Sequence, residues 1–174
     1  MAGPQTDYFR SPDGSVVNNS AVIFTEVDNT KPFTFTAKVQ PEFTETGTYS
    51  AGVIYAYEND THCQKLCFEQ DEYGDHRVVS VRTLDTSDDN NHQAITAPYV
   101  YMRLSSDGTT LGSYFSEDGK IWRMARLYKN DFPEKLLIGI SSQSPKDNEH
   151  TCLFTEVSLT DKPVADFRKG NIAE

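Results

Sequence analysis

Over residues 33 to 39 the chain reads Phe33-Thr34-Phe35-Thr36-Ala37-Lys38-Val39, apolar at every odd position and polar at every even one. A period of two is what a strand half-buried against a core requires, because successive side chains leave its two faces alternately. No window repeats apolar residues at i, i+3, i+4 and i+7 over three turns, so amphipathic helices drop out of the reading. Short runs rich in Val, Ile, Tyr, Phe and Thr recur between turn residues instead, over 21–27, 49–57, 64–70, 77–84, 99–105, 110–116, 121–128, 136–143 and 151–159. With 33–39 these make ten strands, more than one short open sheet carries. The expected fold is all-β: two antiparallel sheets packed as a sandwich with a jelly-roll layout.

Two Asp-Gly turns, in Ser106-Asp107-Gly108 and Glu117-Asp118-Gly119, fix the local topology of the middle. Glycine adopts the positive φ that tight hairpins demand, so 99–105, 110–116 and 121–128 should form a three-stranded meander. Residues 85–92 and 144–149 read as polar loops, and 161–174 as a charged tail without periodicity. With no repeat or linker in view, one domain with its core over about 6–159 is expected.

Composition excludes several classes of function. Among 174 residues, 16 Lys and Arg face 26 Asp and Glu, a net charge of −10. Nucleic-acid binding needs a concentrated basic stripe, and an anionic membrane surface attracts the same kind of patch; neither partner is expected. The first residues carry no basic segment or apolar run of the secretory kind. Three cysteines, Cys63, Cys67 and Cys152, form an odd set that suits a reducing compartment. The expected location is the cytoplasm.

Strand alternation also sorts side chains into core and outer sets. In 64–70, Leu66 and Phe68 should pack inward, leaving Lys65, Cys67 and Glu69 outside; in 99–105, Val100, Met102 and Leu104 pack inward and Tyr99, Tyr101 and Arg103 do not. In 121–128 either Trp122, Met124 and Arg126 share the outer face, or Ile121, Ala125 and Leu127 yield the core to them through a bulge; Trp122 is read as partly exposed. In 49–57 neither alternating set is clearly the buried one. Lys65, Glu69, Tyr101, Arg103, Trp122 and Arg126 are the expected ligand-binding set. Rings stack on the apolar face of a sugar while Arg and carboxylate groups satisfy its hydroxyls. The bland alternative is that such residues make cross-strand pairs that only stabilise a solvated sheet.

Catalytic patterns are sparse. Glu69 and Asp71 hold the first two places of an i, i+2, i+4 acidic row that would serve glycoside hydrolysis, but Tyr73 holds the third and Glu72 takes the other face of a regular strand. His62, Cys63 and Cys67 are spaced too loosely for a zinc site. Asp85, Asp88 and Asp89 offer oxygen ligands for a hard cation, against the simpler reading of a solvated acidic turn. There is no Gly-x-Ser-x-Gly elbow, Walker loop or dinucleotide fingerprint. No cofactor is expected.

One ordered set of motifs resembles a known family. Thr6-Asp7-Tyr8-Phe9, Ala51-Gly52-Val53, Lys65-Leu66-Cys67-Phe68-Glu69 and Val78-Val79-Ser80 come first. Then follow Arg103, Ser116-Glu117-Asp118-Gly119-Lys120-Ile121-Trp122, Arg126, Gly139, Ser144-Pro145 and Phe154. Together they resemble a family of uncharacterised proteins with a concanavalin A-like lectin/glucanase fold, whose fungal members include proteins named as regulators of enolase. The resemblance implies a jelly roll whose concave sheet carries any ligand, and it implies no established reaction. Two expectations follow: a non-enzymatic protein that binds a carbohydrate or sugar derivative on its concave sheet, or an interaction module whose partner is a metabolic enzyme such as enolase.

Overall fold

A computed structural model describes residues 1–147 and 149–172; position 148 of the expected 144–149 loop and the last two residues of the expected tail lie outside the described residues. The described residues form thirteen strands: β1 (Tyr8–Arg10), β2 (Val16–Asn18), β3 (Val22–Asp28), β4 (Phe33–Pro41), β5 (Ala51–Asn59), β6 (His62–Gln70), β7 (His76–Leu84), β8 (Thr86–Ala94), β9 (Val100–Ser106), β10 (Thr110–Ser116), β11 (Arg123–Lys129), β12 (Lys135–Gln143) and β13 (Cys152–Thr160). They form a six-stranded sheet in the order β3-β12-β5-β6-β7-β8, a five-stranded sheet in the order β11-β10-β9-β4-β13, and a separate hairpin of β1 and β2. Every pairing is antiparallel.

The two large sheets face each other across one apolar core. Phe33, Phe35, Ala37 and Val39 of β4, Val100, Met102 and Leu104 of β9, and Leu111 and Phe115 of β10 meet Ile54 and Ala56 of β5, Leu66 and Phe68 of β6, Val78 of β7, and Leu136 and Ile138 of β12. Fully burying a side chain of this size is worth about 1.5–3 kcal/mol, so a register slip of one residue, which would turn each set outward, is strongly disfavoured. Alternation in β4, β6 and β9 is as the sequence implies. The meander β9-β10-β11 is present too, with Gly108 and Gly119 at φ of 89° and 71° in its turns.

Four features go beyond the expectations or decide between them. Residues 86–94 are not a loop but the edge strand β8, turned back from β7 at Asp85, which takes a φ of 62°. A run of Thr, Ser, Asp and Asn has poor strand propensity; its backbone pairing to β7 holds it, and its polarity suits an edge that must not recruit another strand. In β11 the pairing with β10 shifts by one residue, setting Met124 opposite Tyr114 and Arg126 opposite Ser113. A bulge is thus present, but Ala125 stays packed against the core, and Trp122 precedes the strand, partly exposed as expected.

The remaining two concern the ends of the chain. Residues 161–172 lie as a strap across the outer face of the five-stranded sheet: Thr34 Oγ1 donates to the Lys162 carbonyl at 2.6 Å, Val164 N to Ser105 Oγ at 2.9 Å, and Tyr114 Oη to the Phe167 carbonyl at 2.8 Å. The β1–β2 hairpin, at residues where no strand was read, covers the outer face of the six-stranded sheet.

Candidate functional site

The hairpin creates the site. Ala51, Val53 and Tyr55 of β5, Cys67 of β6, and Val79 and Val81 of β7 form a second buried cluster on the outer face of the six-stranded sheet, with Tyr8, Phe9, Val22, Phe24 and Tyr57 packed against it. This is why neither set of β5 read as the exposed one: both are buried. Tyr8 meets Tyr55 and Tyr57 edge to face, at centroid distances of 6.1 and 5.9 Å. Polar ties fix the hairpin around these contacts. Arg10 donates from its backbone N to Ser87 Oγ at 3.0 Å and from Nε to the Asp85 carbonyl at 2.8 Å; Asn18 Nδ2 donates to Asp60 at 2.6 Å; Thr6 and Ser144 exchange two backbone bonds at 3.1 Å.

Between this roof and β6, β7, β8 and the end of β12 lies a cavity of about 860 Å³, within the range of roughly 300–1,000 Å³ typical of small-molecule sites. Phe9, Val17, Tyr49, Val79 and Val81 give it apolar walls, and Asn19, Asn91 and Gln143 offer amide groups. Lys65, 2% exposed, donates to Asp7 at 2.8 Å and to Gln143 Oε1 at 3.2 Å. Burial opposes the Lys65 charge, but Asp7, together with Cys67 and Glu69, outweighs it and raises the ammonium above its ordinary range. Glu69 is half-buried in the same cavity. Burial pushes its carboxyl up to about 8 against the pull of Lys65, and Asp7, Asp89 and Asp71 add to the rise.

The six expected residues do not share one face. Lys65 and Glu69 are on the outer face of the six-stranded sheet; Tyr101, Arg103 and Trp122 are on the outer face of the five-stranded sheet, on the far side of the core. Alternation says which residues of one strand share a face, but not which of two sheets that strand joins. Arg103 is only 6% exposed: its guanidinium lies 3.6 Å from the Trp122 ring centroid, Nε donates to Thr36 Oγ1 at 2.9 Å, and Nη1 to the strap carbonyl of Gly170 at 2.6 Å. Tyr101 donates to Glu156 at 3.2 Å. Arg126 belongs to neither outer face. It spans the open side of the sandwich, donating to Ser80 Oγ and Ser80 O at 3.3 Å and to the Asp88 carbonyl at 3.2 Å.

The acidic patterns change as well. Asp71 follows the last residue of β6 and is 2% exposed. It accepts from the backbone N of Tyr73 and Asp75 at 2.9 Å and from Arg77 Nε at 2.6 Å. Burial works against its charge, but these donors outweigh it and hold the carboxyl below the usual range. Asp71 is thus committed to a turn, whereas Glu72, freed from strand alternation by that turn, lines the cavity. Asp88 and Asp89 leave opposite faces of β8: Asp88 reaches Arg126 and Asp89 lines the cavity. Their cation site does not form, and among the described residues no group of three His, Cys, Asp or Glu is placed to hold a metal. His62 is turned to Glu58 and Asp131 and stacked on Phe132, while Cys63 and Cys67 are buried as free thiols. Asp7, Phe9, Asn91 and Gln143 escape the sequence reading because they belong to the hairpin, to a strand read as a loop and to a strand end.

Residues 1–162 match a family described as protein of unknown function (DUF1349). No curated protein matches the chain. Among solved structures, a functionally unknown protein from Saccharomyces cerevisiae superposes with a TM-score of 0.82 at 23% identity, covering 92% of this chain and 86% of that one. Bacteroides ovatus xyloglucan PUL GH43B gives a TM-score of 0.69 at 12% identity over 92% of this chain and 32% of that one, and the GH43 BlXynB protein from Bacillus licheniformis 0.67 at 13% over 91% and 31%. The chain spans about a third of these GH43 proteins, and likeness at such identities shows the fold alone.

Proposed function

The chain belongs to the family described as protein of unknown function (DUF1349), and from that premise we propose that it binds a carbohydrate or sugar derivative, without hydrolysing it, in the cavity beneath the β1–β2 hairpin. The observation that carries this reading is the make-up of the cavity wall. Phe9, Val79 and Val81 provide an apolar surface for a sugar ring, and Asn19, Asn91, Gln143 and Glu69 stand around it as hydrogen-bonding groups. That the same fold recurs as a part of proteins described by GH43 and xyloglucan leans toward saccharides among small ligands. Binding is preferred to hydrolysis because Asp71, the i+2 carboxylate that would work opposite Glu69, is occupied by Arg77 and the turn. The other expectation, an interaction module whose partner is a metabolic enzyme such as enolase, is the alternative reading.

Calorimetry against a panel of oligosaccharides tests the assignment. Asn91→Trp, which fills the cavity from the exposed edge strand, should abolish binding of any positive sugar, whereas Tyr101→Ala on the opposite face should leave its affinity unchanged. The reverse outcome would move the site to the five-stranded sheet. Release of reducing sugar by the wild type, lost in Glu69→Gln, would replace binding with hydrolysis.

A further inference from the structure

Resting on that reading, we infer that the saccharide this cavity takes carries a free amino group. Four carboxylates, Asp7, Glu69, Glu72 and Asp89, line the cavity together with two ammonium groups, Lys65 and Lys146. Lys65 is already spent, buried against Asp7 and Gln143, which leaves three carboxylates against one cation. Glu69 is the most buried of the three, since Glu72 and Asp89 are exposed. It accepts no hydrogen bond from a described residue, and although Arg77 stands directly opposite it across β6 and β7, that guanidinium is drawn away to Asp71, Asp75 and the His92 carbonyl.

Burial first, and then the neighbouring carboxylates, make the Glu69 carboxyl hold its proton even against the pull of Lys65. A ligand ammonium seated at Glu69 supplies a further positive charge, gaining a charge-assisted hydrogen bond in a partly desolvated site. The apolar strip of Val79 and Val81 then lies against the sugar ring, within the same cavity. Uronic, sulfated or phosphorylated sugars would instead add negative charge to an already acidic wall.

Calorimetry on the intact chain with a glucosamine trisaccharide, its N-acetylated counterpart, neutral xylotriose and trigalacturonate decides the matter. The glucosamine trisaccharide should bind at least tenfold more tightly than either neutral trimer, and trigalacturonate should not bind. Glu69→Gln, nearly isosteric, and Asp89→Asn, on the exposed edge strand, should each weaken the amino sugar about tenfold and so narrow its margin over the neutral trimers. Neutral or acidic trimers binding as tightly as the amino sugar would overturn the amino-group inference and leave the saccharide site standing. An amino-sugar affinity that neither variant moves would show only diffuse attraction to an acidic protein, and would overturn it too. Failure of all four sugars would overturn the saccharide reading along with it.

Discussion

Lys65 and Glu69 sit four residues apart on one face of β6 and are handled in opposite ways. Lys65 is the better satisfied, and its cost of burial is offset only while Asp7 faces it. Lys65→Met should destabilise the fold by about 3 kcal/mol, because it strands the Asp7 carboxylate, and adding Asp7→Asn should restore part of the loss. Urea unfolding of the two single variants and the double variant measures that coupling; strict additivity would mean the pair contributes nothing. Glu69 predicts a pH dependence. Its carboxyl goes from an ordinary 4.5 to about 8 in the fold, so between those values the folded chain keeps a proton that the unfolded chain releases. Stability from this group is full below the lower value and lost as pH rises through the higher one. Glu69→Gln should therefore gain about 2 kcal/mol over wild type between pH 5 and pH 8, less than the full shift implies because the carboxyl opens on a cavity. Parallel unfolding profiles would refute it.

At the scale of elements, the strap and the hairpin do what the regular strands cannot. Each large sheet has an outer face with apolar or charged groups that need cover, and a short irregular segment covers each. Gly170 shows how tightly the strap lies. It holds a φ of 75°, and a Cβ there would come 2.5 Å from Tyr114 Cδ1. Gly170→Ala should cost about 2 kcal/mol from the backbone conformation and the clash together, read as a lower melting temperature. Amide exchange in 161–172 should rise as well, since the Arg103 bond to the Gly170 carbonyl is weakened. Segments of this kind are hard to read from residues alone. Strands β1 and β2 have three residues each, too short to show a period, and the strap has no period at all. β8 was hidden for another reason: its side chains are those of a loop, and only the backbone ladder to β7 makes it a strand.

For the molecule as a whole, the cavity exists because two apolar layers share one sheet. The inner layer is closed by the five-stranded sheet, and the outer cluster around Tyr55, Val79 and Val81 is closed by the N-terminal hairpin. A chain lacking residues 1–20 should keep its inner core but expose that outer cluster, binding a hydrophobic dye such as ANS and losing any sugar affinity. A truncated chain that neither binds the dye nor changes its ligand affinity would show that the hairpin is not the roof. The ten strands, the meander and the inward faces of β4, β6 and β9 were fixed by the order of residues, because a period of two and an Asp-Gly turn act over a few positions. Tertiary structure alone decided that Lys65 and Arg103 stand on opposite sides of the core, that Asp7 reaches Lys65 across 58 positions, and that a polar run becomes an edge strand. Those outcomes depend on which distant segments pair and cover one another, and no local pattern carries that information.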